Sequence, residues 1–203
     1  MTTLPAAKSL PVLVELVKYN CMLYTGQGDK GTTKTLTTPE RIPKDHSIIK
    51  ALGTVDELNA WLGLCRAKLN HINLPTTDWP NLGVALKSNQ EDLFIIQGEL
   101  AGAKLAITED KLKKLEANIK IIEEIIEPIT SFLIPGESES SALMDVARTL
   151  ARKAERDIVG TSDYFKINEF SLAYMNRLSS WLYALARFLN KEKNISEAAP
   201  SYK

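Results

Sequence analysis

The sequence predicts an all-α protein, a five-helix up-and-down bundle preceded by a glycine-rich loop. Three observations lead there. Apolar residues recur at alternating steps of three and four through most of the chain, the stripe of amphipathic helices. No stretch alternates apolar and polar residues as a strand does, and no internal repeat is visible. The breaks between stripes are short and carry prolines or turn residues, which suits antiparallel neighbours.

The elements follow in order. Residues 1–21 form an N-terminal extension, and its Leu-Pro-Val-Leu-Val-Glu-Leu-Val run is too short and interrupted for a membrane helix. Residues 22–190 form the bundle. After the loop, Thr37 to Asp45 is polar and holds Pro39 and Pro43. The first helix starts near Asp45 and carries Val55, Leu58, Leu62, Cys65 and Leu69. Asp78 or Trp79 leads into the second helix, with Pro80 in its first turn, and Leu82, Leu86, Asn89, Leu93, Ile96 and Leu100 form its stripe. Thr108-Glu-Asp is a cap followed by first-turn acids. The third stripe, Leu112 to Ile126, ends at Pro128. An apolar link, Phe132-Leu-Ile-Pro-Gly136, leads to a fourth helix starting near Ser138 to Ser141, with Leu143, Val146, Leu150, Ala154 and Ile158 as its stripe. The fifth carries Phe170, Tyr174, Leu178, Trp181, Leu185 and Leu189, and a polar tail, residues 191–203, is expected to fray.

Composition excludes several classes. Formal net charge is zero over 203 residues, so bulk charge offers nothing to nucleic acid or an anionic membrane. Two histidines, His46 and His71, argue against a histidine metal site or a Ser-His-Asp triad. Cys21 and Cys65 lack CxxC spacing and read as free thiols. A cytoplasmic protein is expected.

The densest polar stretch is Tyr24-Thr-Gly-Gln-Gly-Asp-Lys-Gly-Thr-Thr-Lys34. Glycines let backbone N–H groups approach an anion, threonine hydroxyls donate, and lysines supply charge. Gly26, Gly28 and Gly31 match the dinucleotide fingerprint in form, but no strand precedes them and Pro39 follows soon after. Thr32 after Gly31 rules out the P-loop ending. A phosphate-cradling loop of neither kind and a flexible turn both remain open. Lys44 could fold back on the same anion.

On the fourth helix Arg148, Arg152 and Glu155 share a face that Arg156 continues, with Lys153 among them. Arginine suits bidentate phosphate contact; the bland alternative is a solvated charged face with weak ion pairs. Asp56 on the first helix calls for a basic partner, with Arg148 a candidate in the chain or across a subunit interface. Asn176 among apolar neighbours either satisfies backbone groups or reaches a ribose or phosphate. Phe132 is either core packing or an aromatic wall.

Together these residues resemble the PduO-type ATP:cob(I)alamin adenosyltransferases. The likeness begins at Tyr24-Thr25 and Gly28-Asp-Lys-Gly31 and runs through Arg41-Ile-Pro-Lys-Asp45 and Gly53-Thr-Val-Asp-Glu-Leu-Asn59. It continues at Phe132-Leu-Ile-Pro-Gly136, Ala147-Arg-Thr-Leu-Ala-Arg-Lys-Ala-Glu-Arg156, Asn176-Arg-Leu-Ser179 and Leu185-Ala-Arg187. The resemblance implies a homotrimer with sites between subunits, where cobalt(I) of cob(I)alamin attacks the 5′ carbon of ATP and triphosphate leaves. Mg2+ accompanies the phosphates, with no protein-built metal site expected. It implies ATP contacts from Thr25, Gly26, Gln27, Gly28, Thr33, Lys34 and Lys44, and from Arg152, Lys153, Ala154, Glu155, Arg156 and Asn176. It implies an Asp56–Arg148 ion pair between subunits and a Phe132 that displaces the lower axial ligand of the corrinoid. A cobalamin-dependent enzyme and a cobalt reductase are the implied protein partners. Gly26 stands where the family often has Arg or Lys, Gln27 where it has Thr or Asn, Lys153 where arginine is common, and Glu137 for a usual glycine. The rival readings are a non-catalytic adenosylcobalamin or nucleotide carrier on this fold and a plain helical interaction bundle.

Overall fold

A computed structural model describes residues 24–202, apart from Thr37 and Pro39. The expectation for residues 1–21, and Cys21 with it, lies outside the described residues. Among the described residues there are five helices, and each begins on a side chain that accepts from its first turn. In α1 (Ser47–Leu69) His46 accepts from the Ile48 N–H, and in α2 (Leu82–Leu100) Asn81 accepts from Val84. Thr108 caps α3 (Glu109–Glu123), with Glu109 and Asp110 favourably placed against the helix dipole. Ser138 and Ser141 bond reciprocally at the start of α4 (Glu139–Val159). Asn168 caps α5 (Glu169–Glu192), where the buried Glu99 carboxylate also accepts from the Asn168 N–H and the Ser171 hydroxyl, each at 2.5 Å.

Cross-helix contacts fix the direction of each element. Lys68 meets Glu139 while Lys50 meets Asp157, so α1 and α4 are antiparallel. Arg187 meets Asp145 while Asn176 meets Glu155, so α4 and α5 are antiparallel. Gln90 bonds Asn59 and Gln97 bonds Asp56, which sets α2 antiparallel to α1. Arg177 meets Glu116 and Lys191 reaches the Ile125 carbonyl, so α3 runs parallel to α5. The helices therefore alternate in direction along the chain.

The core is continuous from Ala51 to Leu189, with Trp181, Tyr174 and Leu58 among its largest fully buried side chains. One polar chain crosses it. Asp92 is held by Lys111 at 2.5 Å and by the Tyr174 hydroxyl at 2.8 Å; Asn89 donates to that hydroxyl and accepts from Trp181. Burial first, then the Asp92 charge, push the Tyr174 hydroxyl well up, so it stays protonated and donates.

Several sequence expectations need correction. Helix α2 starts at Leu82, so Pro80 lies before its cap; the Pro80 carbonyl instead accepts from Leu74. Helix α3 ends at Glu123, one turn before Pro128. The buried face of α4 is Met144, Ala147, Ala151, Ala154 and Ile158, while Val146 is exposed and Leu143 and Leu150 only half-buried. Small residues let α4 sit close against α1 and α5, so its larger aliphatics point to the flank. Two-residue strands β1 (Thr32–Thr33) and β2 (Ile42–Pro43) pair antiparallel, too short to leave an alternating pattern.

The tail does not simply fray. Glu197 pairs with Arg187 at 2.7 Å and accepts from Asn190, and the Ala198 carbonyl accepts from the Ile134 N–H. A buried arginine between two carboxylates recruits the tail, which then crosses the α3–α4 link.

Candidate functional site

Two half-sites lie at one end of the bundle, where α1 begins and α4 ends. The first is the loop. Gly26 and Gly31 have φ of +67° and +72°, a left-handed backbone that favours glycine. A lysine or arginine at Gly26 would be strained there, which accounts for the glycine in this chain. The Asp29 N–H donates to Gly26 and the Gly31 N–H to Gly28, closing successive turns. The Lys44 N–H donates to the Gly31 carbonyl, and the Lys44 ammonium lies 3.1 Å from where a Cβ on Gly28 would stand. Thr25, Gly26, Gln27, Gly28 and Lys44 are thus brought together; Thr33 lies in β1 beside them and Lys34 follows, exposed.

The second half-site is a shallow pocket of about 260 Å³ lined by Arg152, Glu155, Arg156, Val159 and Asn176. Helical spacing puts Arg152, Glu155 and Arg156 on one face of α4, and antiparallel α5 brings Asn176 opposite. Asn176 donates to Glu155 at 2.9 Å and accepts from Arg177, which orients its amide at the pocket edge. Glu155 therefore pairs with Asn176, while Arg152 and Arg156 are in no ion pair among the described residues. Two of the six sequence-picked residues of this region face elsewhere. Ala154 is fully buried in the core, and Lys153 is salt-bridged to Glu57 at 2.7 Å.

The half-sites share an end of the bundle because Lys50 pairs with Asp157 at 3.2 Å and the His46 ring packs on Tyr164 at 4.9 Å. Within one chain no hydrogen bond or ion pair joins the loop to the α4 pocket among the described residues. Asp56 and Arg148 do not meet in the chain either. Asp56 is exposed and, among the described residues, accepts only from Gln97 at 3.4 Å. The Arg148 Nε is 3.5 Å from Asp145 without a formed hydrogen bond, and its guanidinium stacks over Tyr183.

Phe132 lies toward the other end of α4, in the link before its first turn. It is 79% exposed, so it does not pack in the core. Beside it a cavity of about 580 Å³ runs between the link and the tail, lined among others by Ile126, Ile129, Leu133, Ile195 and the Arg187–Glu197 pair. Glu137, unusual after Pro-Gly, accepts from the Ala198 N–H at 3.4 Å and so holds the tail.

Residue type alone did not single out Arg41 or Val159. Arg41 donates to the Gln27 carbonyl at 2.7 Å and to the Thr32 carbonyl and hydroxyl at 2.6 and 2.9 Å. Its signal was an arginine between Pro39 and Pro43, next to the loop. Arg187 did have a visible signal, a charge within Leu185-Ala-Arg-Phe-Leu189. The Cys65 thiol is buried and burial pushes it up to about 12, so it is no nucleophile. Among the described residues no three or more His, Cys, Asp or Glu side chains cluster to hold a metal, and no helix is long and apolar enough to cross a membrane.

The sequence profile of the cobalamin adenosyltransferase family matches residues 23–189. The corrinoid adenosyltransferase PduO of Salmonella typhimurium is 38% identical over 175 residues, covering 81% of this chain and 48% of that protein. The chain thus spans about half the length of that relative. The corrinoid adenosyltransferase of Bacillus subtilis is 35% identical over 183 residues, covering 86% of this chain and 90% of that one. A solved variant of the PduO-type ATP:corrinoid adenosyltransferase from Lactobacillus reuteri, complexed with cobalamin and ATP, superposes with a TM-score of 0.78 at 28% identity. It covers 89% of this chain and 97% of that one. The profile match over most of the sequence places the chain in the cobalamin adenosyltransferase family.

Proposed function

We propose that the protein transfers the 5′-deoxyadenosyl group of ATP to cob(I)alamin, giving adenosylcobalamin and triphosphate, at sites between the subunits of a homotrimer. The observation that carries this reading is the layout along α4. An arginine-lined pocket opens at the end where the glycine loop lies, and an exposed Phe132 stands beside a large cavity toward the other end. About 20 Å of helix, at roughly 1.5 Å per residue, separates Arg152 from the first turn of α4. That length suits two substrates placed end to end.

The loop of one subunit and the α4 pocket of its neighbour hold ATP. Thr25, Gly26, Gln27, Gly28, Thr33, Lys34 and Lys44 supply donors from the loop side. Arg152 and Arg156 grip phosphates from the α4 side, and Asn176, braced by Glu155, reaches the nucleoside. Asp56 pairs with Arg148 across the interface; among the described residues Asp56 accepts only a long bond from Gln97, and the Arg148 Nε has no hydrogen-bond acceptor. Lys153, paired with Glu57, and Ala154, in the core, make no ATP contact in this reading. Mg2+ enters with the ATP phosphates.

The substrate itself is the nucleophile, and the protein needs no general base. Its work is alignment and stabilisation of the leaving triphosphate. Alignment can supply about 7–11 kcal/mol and each fixed donor on the developing charge about 3–4 kcal/mol, as general magnitudes. Phe132 occupies the lower face of the corrinoid and keeps the axial ligand away, which eases reduction to cobalt(I). A cobalamin-dependent enzyme that takes the product and a reductase that supplies cobalt(I) complete the proposed partners.

The test is incubation with ATP, Mg2+ and chemically reduced cobalamin. Growth of the adenosylcobalamin absorbance is expected. Binding of adenosylcobalamin without turnover would instead make the protein a carrier, and no binding of either ligand a plain bundle. Phe132→Ala is expected to leave the Kd for ATP unchanged while four-coordinate cobalt(II) fails to accumulate. Normal formation of that spectral species removes Phe132 from the axial role.

A further inference from the structure

We propose that Arg41 is a positioning residue for the nucleotide loop, acting on its backbone and not on the substrate. This rests on the reading of the loop as an ATP site. An anion cradle needs its N–H groups free and its carbonyl oxygens turned away. Arg41 sits immediately before β2 and reaches across to β1. One guanidinium donates to the carbonyls of both Gln27 and Thr32, and to the Thr32 hydroxyl. Those carbonyls flank the Gly28–Gly31 turn on its two sides. Gly26, Gly28 and Gly31 carbonyls are occupied by Asp29, Gly31 and Lys44 N–H groups. By contrast the N–H groups of Gly28 and Lys30 have no acceptor among the described residues. Five loop carbonyls, those of Gly26, Gln27, Gly28, Gly31 and Thr32, are thus taken while the Gly28 and Lys30 N–H groups are spare, and Arg41 is a side chain that ties the two ends of the loop.

The fork matters more than the charge. Two carbonyls five residues apart are spanned because the guanidinium carries several donors in one rigid plane, which an ammonium on a flexible stem does not reproduce. Arg41 is exposed, and among the described residues its hydrogen bonds go to Gln27 and Thr32, so its loss has little effect on the bundle. The consequence falls on ATP: a loop that must be ordered on binding lowers affinity.

The test compares wild type with Arg41→Ala, Arg41→Lys and Thr32→Ala, reading the KM for ATP, the KM for cob(I)alamin, the Kd for ATP·Mg2+ and the thermal midpoint. Arg41→Ala is expected to raise the KM and Kd for ATP roughly tenfold, the size of one lost charge-assisted hydrogen bond. The cob(I)alamin KM and the thermal midpoint stay at wild-type values. Arg41→Lys matches the alanine variant, and Thr32→Ala, which keeps both carbonyl bonds, changes the ATP KM less than threefold. Full rescue by lysine shows a direct phosphate contact and overturns the proposal. So does an unchanged ATP Kd in Arg41→Ala, or an equal rise in both KM values. A wild-type protein that binds ATP without transferring it refutes the transferase reading alone, since the ATP Kd still reports on Arg41. A wild type that binds no ATP overturns both.

Discussion

Arg152→Ala is expected to lower kcat/KM for ATP by about 100-fold, the effect of removing one preorganised donor from a leaving oxyanion. Arg152 is exposed, lines the α4 pocket and sits one helical turn from Arg148 and from Arg156. It has no ion-pair partner among the described residues, so its guanidinium is available to a phosphate. Both kcat and KM shift, because the contact tightens as negative charge gathers on the departing triphosphate. Lys153→Ala provides the internal comparison. Its ammonium already pairs with Glu57, a half-exposed contact of small worth, and its kcat/KM stays within about threefold of wild type. Steady-state kinetics at saturating cob(I)alamin read both. Equal losses in the two variants contradict the assigned geometry, and an unchanged Arg152→Ala removes that residue from the site.

Arg187→Ala is expected to be the most destabilising single change away from the apolar core. The side chain is 4% exposed and donates to Asp145 at 2.6 Å and Glu197 at 2.7 Å. It also stacks over Tyr183. Truncation leaves the buried Asp145 carboxylate without its main partner, which costs about 3–5 kcal/mol. Against a typical total of about 5–15 kcal/mol this is a large fraction. The thermal midpoint falls on the order of 10 °C. The tail loses its anchor at the same time, so the link carrying Phe132 loosens and the KM for cob(I)alamin rises. A midpoint within about 2 °C of wild type contradicts the assigned role.

The stripes of α1, α2 and α5 were legible because large aliphatics and aromatics mark their buried faces. Val55, Leu58, Leu62 and Cys65, or Leu178, Trp181 and Leu185, leave one possible core side. In helix α4 the second half of the stripe, Ala154 and Ile158, is buried as expected, and the first half falls on the flank. Its core face is built from alanines, and the larger Leu143, Val146 and Leu150 drew the stripe to the flank. Close packing selects small residues, and a pattern weighted by size misses them. The docked tail was hidden for a different reason: Glu197 and Arg187 meet through a non-local contact that periodicity does not encode.

The site shows the same division. Arg152, Glu155, Arg156 and Asn176 were legible from helical spacing, and the structure brings them to one pocket. Lys153 and Ala154 entered with the motif around them. The helix turns one to a salt bridge and the other to the core. Arg41 stands in a motif of the resemblance but carried no role there, because its partners are carbonyl oxygens, which every residue carries. A side chain that recognises backbone leaves no mark on the identity of what it touches.

Quantifying the phosphate product alongside adenosylcobalamin tests most directly whether cobalt attacks the 5′ carbon of ATP on this protein. One inorganic triphosphate for each adenosylcobalamin is the expected result. Adenosylcobalamin formed without loss of ATP, or no cobalt–carbon product while ATP is cleaved to diphosphate and orthophosphate, would contradict it.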